Sequence, residues 1–224
     1  MAQLKAVFCD VGGPIYDDEN FVAAVLVALD ELRAADGMPP TDRTAFRMLY
    51  DRSRAAQGMS LRAALAERFL GSTARRDELH ARTREHWAHP KGTLYPDVIP
   101  FLRALRGRAT VGVLANQEEG VVRALERDGV APLVDVWAVS AIVGHEKPSP
   151  ELFRWALAQA GAEPGEAVHI GNRLDTDVRP AQALGLATVW VLRGEAPDDP
   201  TRSSSPSPTW PCAAWTASHP GCSS

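Results

Sequence analysis

The chain has 224 residues, of which 45% are hydrophobic, and this allows one sizeable core or one core with a small accessory domain. Its formal net charge of -4 gives no reason to expect nucleic acid as a partner, and no run of 18 apolar residues is present that would span a membrane. Three cysteines without metal-ligand spacing argue against a disulfide framework and against a zinc site. No apolar leader precedes the first predicted strand, so we expect a cytoplasmic protein.

The first predicted element is a strand that ends in a carboxylate. Leu4 and Ala6–Cys9 form a short apolar run typical of a strand buried on both faces in a parallel sheet. The run stops at Asp10, and Gly12 and Gly13 follow, where glycine lets the backbone turn sharply and point N–H groups at an anion. Asp10 is therefore a candidate for chemistry. The alternative is that Asp10 only caps an ordinary strand-to-loop turn.

A helical segment comes next. Between Asn20 and Trp87 the sequence predicts helices and no strand, because apolar side chains recur at helical spacing at 21–32, 46–50, 61–70 and 79–87. Ser60 and Thr41 are the expected N-caps. Residues 41–91 contain 11 arginines and lysines against 6 aspartates and glutamates, which would favour an anionic ligand. Solvated helix faces account for the same charges equally well.

From Leu94 onward, predicted strands and helices alternate. The predicted helices lie at 96–106, 118–128, 150–160 and 179–184, and the predicted strands at 110–114, 134–139, 167–170 and 187–192. This alternation implies an α/β fold with a parallel sheet between two layers of helices.

Polar residues follow several of these strands at the end where α/β proteins bind ligands. They are Asp10, Ala115-Asn116, and Gly171-Asn172 with Asp175 and Asp177. Lys147 belongs with them, because Ser149 and Pro150 are suited to the N-cap and first position of a helix, and the lysine and the helix end both favour an anion. The alternative for Lys147 is an exposed lysine in a proline-rich turn.

The motifs together point to one family. They are D-x-G-G-P after the first strand, A-N after the second, K-P-S-P-E-L-F before a helix, and G-N-R-L-D-T-D after the fourth strand. In this combination, residues 4–194 resemble the haloacid dehalogenase-like hydrolase superfamily, in the subclass with a helical (C1-type) cap. The resemblance implies a Rossmann-like core over 1–16 and 92–194 with the helical cap inserted over 17–91. Residues 195–224 are rich in proline and serine, and we expect them to form a disordered tail.

The resemblance also implies roles for individual residues. Asp10 would be the nucleophile, and Lys147 would steady both this nucleophile and the phosphoryl oxygens. The residues expected to bind phosphate are Gly12, Gly13, Ala115, Asn116 and Lys147, and those expected to bind Mg²⁺ are Asp10, Gly12, Asn172 and Asp177.

Three positions depart from the family pattern. Phosphatases of the family usually carry a second Asp, as acid and base, where this chain has Gly12. They also carry a Ser or Thr where it has Ala115, and often a metal-binding Asp where it has Asn172. Asp17 and Asp18, near the hinge of the cap, are candidates to replace the missing acid; the alternative is that they are ordinary solvated side chains. Because Mg²⁺ commonly needs only one or two protein carboxylates together with substrate phosphate and water, we expect the metal site to be weakened and not abolished.

The predicted function is a Mg²⁺-dependent phosphatase that acts on a small phosphorylated metabolite through an aspartyl-phosphate intermediate. Two alternatives stay open: a protein with the family fold that has lost catalysis and binds a ligand, and a metal-independent displacement enzyme such as a haloacid dehalogenase. The last alternative is weakened because such enzymes usually carry an aromatic residue at the position where this chain has Gly12. We expect a small anionic substrate, no nucleic acid or membrane partner, and a monomer or homodimer.

Overall fold

The computed structural model describes residues 3–58, 60–197 and 210–212. The chain divides into two compact units, with breaks after Asp17 and after His89. We call Asp18–His89 the helical unit and the remaining described residues, apart from Pro197, the sheet unit. These breaks lie one and two residues from the domain boundaries that the sequence predicts.

The sheet unit contains, within the described residues, a six-stranded sheet in which every pair is parallel. The strands are β1 (Ala6–Cys9), β2 (Thr110–Ala115), β3 (Val136–Val139), β4 (Ala167–Gly171), β5 (Ala187–Val191) and β6 (Trp210–Cys212). They are ordered β3-β2-β1-β4-β5-β6, so β1 lies inside the sheet between β2 and β4. The first five are the predicted strands, whereas β6 was not predicted.

Helices cover both faces of the sheet. In the described ranges the α-helices are α1 (Glu19–Ala35), α2 (Arg43–Ala56), α3 (Leu61–Leu70), α4 (Arg76–His86), α5 (Val98–Leu105), α6 (Gly120–Arg127), α7 (Ser140–Val143), α8 (Pro150–Ala160) and α9 (Arg179–Ala183). Alternate residues of β1 point to opposite sides: Val7 and Cys9 belong to the core with α5 and α6, and Ala6 and Phe8 to the core with α8 and α9. The predicted Rossmann-like α/β fold is confirmed.

The helical unit contains α1–α4, which correspond to the four predicted helical segments. Ser60 is the N-cap of α3, where its side chain accepts a hydrogen bond from the Ala63 N–H, as predicted. The prediction that Thr41 is an N-cap is wrong, since the side chain of Asp42 caps α2. The Thr41 N–H instead donates to the Asp30 carboxylate, a contact with another helix that local sequence does not reveal.

The predicted disordered tail lies mostly outside the described residues. Of residues 198–224 only 210–212 are described, as β6. None of the helices in the described ranges combines the length and the apolar character needed to cross a bilayer.

Candidate active site

The carboxyl ends of the inner strands bring the predicted residues together. Cys9, the last residue of β1, is paired with Val113 of β2 and with Ile170 of β4. The next residue, Asp10, donates its N–H to the Ile170 carbonyl at 2.8 Å, and this bond fixes where its side chain begins. The Asp10 side chain is 14% exposed, so the carboxylate remains accessible at the edge of the sheet.

Lys147 is the hub of the site. Its ammonium group lies 2.9 Å from Asp10 Oδ1 and 2.5 Å from Asp177 Oδ1, and it donates to the Leu114 carbonyl at 3.2 Å. The Lys147 side chain is only 2% exposed. The alternative of an exposed lysine in a turn is therefore wrong: Lys147 is buried and joins two carboxylates.

Asp177 lies fully buried behind Lys147. Its Oδ2 accepts the Arg173 N–H at 3.0 Å, and His169 Nε2 lies 3.3 Å from its Oδ1. Both oxygens are thus engaged by protein groups. The His169 side chain is also fully buried, its ring meets Phe153 edge-on, and its Nδ1 atom has no hydrogen-bond partner among the described residues.

Burial and charge act in different directions on these groups. Burial raises the pKa of Asp10 to about 6 in spite of Lys147, and repulsion from Asp177 adds to the effect. Burial opposes the charge of Asp177 too, but its bonds to Lys147 and His169 hold the pKa of that carboxyl well below its usual range. The two carboxylates keep the pKa of Lys147 raised although burial lowers it, and burial lowers the pKa of His169. At neutral pH the cluster therefore consists of two carboxylates, one ammonium and a neutral imidazole.

The glycine loop after Asp10 is tightly turned. Gly13 has a φ of +83° and donates its N–H to the Tyr16 carbonyl at 2.9 Å. A side chain at Gly13 would collide with the amide of Asn172, so this position requires glycine in two ways. The Gly13 N–H, which was expected to bind phosphate, is therefore already bonded to a carbonyl of its own loop. Gly12, by contrast, does not adopt a positive φ.

The Asn116 amide holds Lys147 in place. Its Oδ1 accepts the Lys147 N–H at 2.7 Å, and its Nδ2 donates to the Lys147 carbonyl at 2.8 Å. Asn116 is itself exposed and follows the buried Ala115 at the end of β2. The Asn116 amide, which was expected to bind phosphate, is therefore bonded to the backbone of Lys147. Its Nδ2 atom retains a second proton.

Asn172 and Asp175 are also engaged. Asn172 is 2% exposed and donates its side-chain N–H to the Arg193 carbonyl at 3.1 Å. Asp175 receives two bonds from the Arg173 guanidinium, at 3.0 and 2.7 Å, and the same guanidinium reaches Glu195 at 2.7 Å. In the described part of the chain, no group of three or more His, Cys, Asp or Glu side chains is arranged to hold a metal ion.

Sequence reasoning missed His169 and the positioning role of Asn116. The signal for His169 was a single histidine in the otherwise apolar strand A-V-H-I-G. It lies against Asp177 Oδ1, whereas the Arg173 N–H binds the other oxygen of the same carboxylate. No sequence signal distinguishes an Asn that binds a ligand from one that holds a neighbouring backbone.

Comparison with known proteins agrees with the motifs. Residues 4–185 match the sequence model of a hydrolase family, the haloacid dehalogenase-like hydrolases. The chain is 38% identical over 110 residues to a glyceraldehyde 3-phosphate phosphatase of Methanopyrus kandleri, which covers 46% of each protein. It is 39% identical over 140 residues to a phosphoserine phosphatase of Thermus thermophilus, covering 59% of this chain and 53% of the relative. The chain thus matches about half the length of these curated relatives.

The fold is shared over nearly the whole chain. A solved structure of a phosphatase from Thermococcus onnurineus superposes with a TM-score of 0.63 at 23% identity, and the match covers 95% of this chain and 94% of the other. At this level of identity the likeness shows the fold alone.

Proposed function

Because the chain belongs to the haloacid dehalogenase-like hydrolases, we propose that it is a phosphatase acting on a small phosphorylated metabolite. The observation that carries the proposal is the position of Asp10, a partly exposed carboxylate at the end of an inner strand and 2.9 Å from a buried lysine. A carboxylate beside a fixed positive charge supplies the nucleophile and the charge stabilisation that phosphoryl transfer through an aspartyl-phosphate uses. The phosphatase names of the relatives support this reaction class.

Asp10 attacks phosphorus with the carboxylate oxygen that does not face Lys147. The Lys147 ammonium keeps the carboxylate oriented and offsets negative charge on the transferring phosphoryl group. Asn116 fixes the backbone of Lys147, and Asp177 fixes its side chain, so that the charge is in place before the substrate arrives. Water then hydrolyses the aspartyl-phosphate and regenerates Asp10.

The residues present fit Mg²⁺. Asp10, Asp177 and Lys147 together leave one negative charge uncompensated. Burial, with repulsion from Asp177 added to it, raises the pKa of Asp10. Oxygen ligands suit Mg²⁺, and we propose Asp10, the Gly12 carbonyl and the Asn172 side-chain oxygen for direct binding. Asp177, predicted as a further ligand, is fully buried with both oxygens engaged, so we propose that it acts through Lys147. When bound, the ion would supply positive charge for the phosphoryl oxygens.

The helical unit is our candidate for substrate selection. Its residues 41–89 carry a local surplus of 10 arginines over 6 aspartates and glutamates, while residues 18–89 as a whole carry 11 side chains of each sign. A small anionic substrate is consistent with this surplus. The cytoplasmic location and the monomeric or homodimeric state stay predictions from sequence.

The decisive experiment is hydrolysis of an aryl phosphate by the wild type and by Asp10→Asn, each with and without Mg²⁺. We expect Mg²⁺-dependent turnover that is lost in Asp10→Asn, because the amide is no nucleophile. Asp51→Asn is the matched control, since this exposed carboxylate lies in the helical unit and makes only a 3.9 Å contact with Arg54. It should retain full activity.

Other results would point elsewhere. Turnover that survives in Asp10→Asn would contradict the proposal. If no phosphate is cleaved, release of halide from small haloacids would favour displacement at carbon, for which Gly12 is no handicap because halide leaves without a proton. Absence of both activities would favour a binding protein.

A further inference from the structure

The leaving group decides whether a phosphatase needs a general acid. An alkoxide has to be protonated as it leaves, whereas a carboxylate, a phosphate or a phenolate departs as a stable anion. The side chains around Asp10 determine which of these leaving groups the site can serve.

Lys147 has no proton to give. Its ammonium group carries three protons, and three acceptors surround it: Asp10 Oδ1 at 2.9 Å, Asp177 Oδ1 at 2.5 Å and the Leu114 carbonyl at 3.2 Å. Protonation of a leaving group by Lys147 would break one of these bonds and leave a buried partner without compensation. Lys147 therefore serves as a fixed charge.

Asp177 and His169 are out of reach. The Asp177 carboxylate accepts from Lys147 and from the Arg173 N–H, so it is held as the ionised form, and its side chain has no exposed surface. His169 directs Nε2 at Asp177 and is equally buried. Neither side chain can touch an oxygen of a substrate that is bound to Asp10.

The remaining neighbours are not acids. Gly12, two residues after the nucleophile, has no side chain. Asn116 and Asn172 carry amides, which do not protonate a leaving group, and both are already bound, to Lys147 and to the Arg193 carbonyl. At these six positions around Asp10, each candidate donor is thus absent or already bonded.

We propose that the substrates of this protein are phosphate compounds whose leaving group departs without protonation, namely acyl phosphates, phosphoanhydrides or phosphate esters of phenols. This inference rests on the proposed phosphatase function and names its substrate class. Alkyl phosphate esters are poor substrates, since general acid catalysis is worth about 10²- to 10⁴-fold and none of these six positions supplies it.

The reaction balances without an acid. An Asp10 oxygen forms a bond to phosphorus, the bond from phosphorus to the leaving oxygen breaks, and the electron pair departs with that oxygen as a carboxylate, phosphate or phenolate anion. Water then attacks the phosphorus of the aspartyl-phosphate, the bond to Asp10 breaks and the carboxylate is restored. The proton of the water passes to the released phosphate.

The test is the dependence of kcat/KM on the leaving group. The probes are a series of aryl phosphates whose phenols differ in acidity, with acetyl phosphate, pyrophosphate and glycerol 3-phosphate, each corrected for hydrolysis without enzyme. We expect kcat/KM to fall steeply as the leaving group becomes more basic, and glycerol 3-phosphate to lie at least about 100-fold below acetyl phosphate.

Two variants at one position isolate the missing acid. Gly12→Asp adds a carboxyl group two residues after the nucleophile, at a glycine that does not adopt a positive φ. It should flatten the dependence and raise the rate for glycerol 3-phosphate relative to the aryl series. Gly12→Asn is the matched control, because it adds the same bulk without an acid and should leave the dependence steep.

Each outcome is decisive. A flat dependence in the wild type, with glycerol 3-phosphate cleaved as fast as acetyl phosphate, would overturn the inference while leaving the phosphatase function intact. No turnover of any probe would overturn the phosphatase function and this inference with it. If Gly12→Asp does not fold, the wild-type dependence alone gives the answer.

Discussion

Asp10 is held in a state of electrostatic conflict. Lys147 attracts its carboxylate at 2.9 Å, but the same ammonium is shared with Asp177 at 2.5 Å. Asp177 is fully buried, and Asp10 is mostly buried, with 14% of its side chain exposed. Asp177 has two further donors, His169 and the Arg173 N–H. Asp10 is instead the carboxylate that keeps surface exposed to solvent. The negative charge of Asp10 is therefore less well compensated than that of Asp177, and Asp10 is the carboxylate that a ligand can reach.

We predict that Asp10 titrates near pH 6 in the protein without Mg²⁺, because burial and Asp177 together outweigh Lys147. Carbon-13 NMR of the Asp10 carboxyl, assigned by its loss in Asp10→Asn, measures this directly. Lys147→Met should raise the pKa further, since it removes the compensating charge. A pKa near the ordinary value of 3.8 in the wild type would contradict the prediction.

The same shift has a consequence for stability, and its sign is fixed. The pKa of Asp10 is higher in the folded than in the unfolded chain, so protonation favours the fold. This contribution is fully present below the unfolded value of 3.8 and is lost as pH rises through about 6. Asp10→Asn, which cannot ionise, should therefore raise Tm more at alkaline than at acid pH.

At the scale of elements, the site depends on a clamp between the end of β2 and the loop that precedes α8. Asn116 and the backbone of Lys147 exchange two hydrogen bonds, at 2.7 and 2.8 Å. The next residue, Gln117, is held by Ser140 Oγ, which accepts the Gln117 N–H at 3.0 Å and donates to the Gln117 carbonyl at 3.2 Å. Only the first of these two clamps acts on Lys147.

We predict that Asn116→Ala lowers kcat by about 10- to 100-fold, because a displacement of Lys147 by a fraction of an ångström weakens its hold on Asp10. KM should change less than kcat. Steady-state kinetics with an aryl phosphate provides the measurement.

Ser140→Ala is the matched control, because it loosens the adjacent turn and leaves Lys147 untouched. At a comparable loss of Tm it should lower kcat less than Asn116→Ala does. Equal losses of kcat in the two variants would mean that Asn116 contributes only to stability.

Elements with strong local signals could be predicted from the sequence. Helix α8 begins at Pro150 and ends at Ala160 as predicted, because proline favours the first position and Gly161 accepts the left-handed φ of +59° that ends the helix. The prediction of Thr41 as an N-cap was wrong, and the turn Leu174–Val178 was not predicted. The first lost its N–H to a contact with Asp30 in α1, and the second is a π-helical turn without a repeating pattern.

The candidate site also has features that the sequence predicts and features that it does not. That Asp10, Lys147 and Asp177 converge follows from the rule that ligands bind at the carboxyl ends of parallel strands. The sequence does not reveal which of these side chains already have all their hydrogen-bonding atoms engaged by other protein groups. The burial of Asp177, the engagement of the Asn116 amide and the place of His169 arise from contacts between segments far apart in the chain.

At the scale of the whole molecule, the two units have separate hydrophobic cores. The core of the helical unit is built entirely from residues between Phe21 and Trp87. The three cores of the sheet unit draw only on residues up to Tyr16 and from Leu94 onward. The chain passes between the units where Asp17 donates its N–H to the Thr93 carbonyl at 2.8 Å, a bond that lies within the sheet unit.

We predict that the sheet unit folds without the helical unit. Since Tyr16 and Leu94 already form an antiparallel bridge, an Asn-Gly turn in place of residues 19–91 can close this hairpin. The shortened chain keeps all three sheet cores, so it should show the circular dichroism of an α/β protein and a single cooperative thermal transition. If the helical unit selects the substrate, it should also discriminate less among phosphate compounds than the full chain does.

The matched control is the full chain with an Asn-Gly insertion after Gly92, which adds the same turn without removing the helical unit. This control should unfold and hydrolyse aryl phosphate as the wild type does. A shortened chain with broad, non-cooperative unfolding and strong binding of a hydrophobic dye would contradict the prediction. In that case the cores, although built from separate residues, would depend on each other for stability, and the helical unit would have to be regarded as part of the folding unit that forms the site.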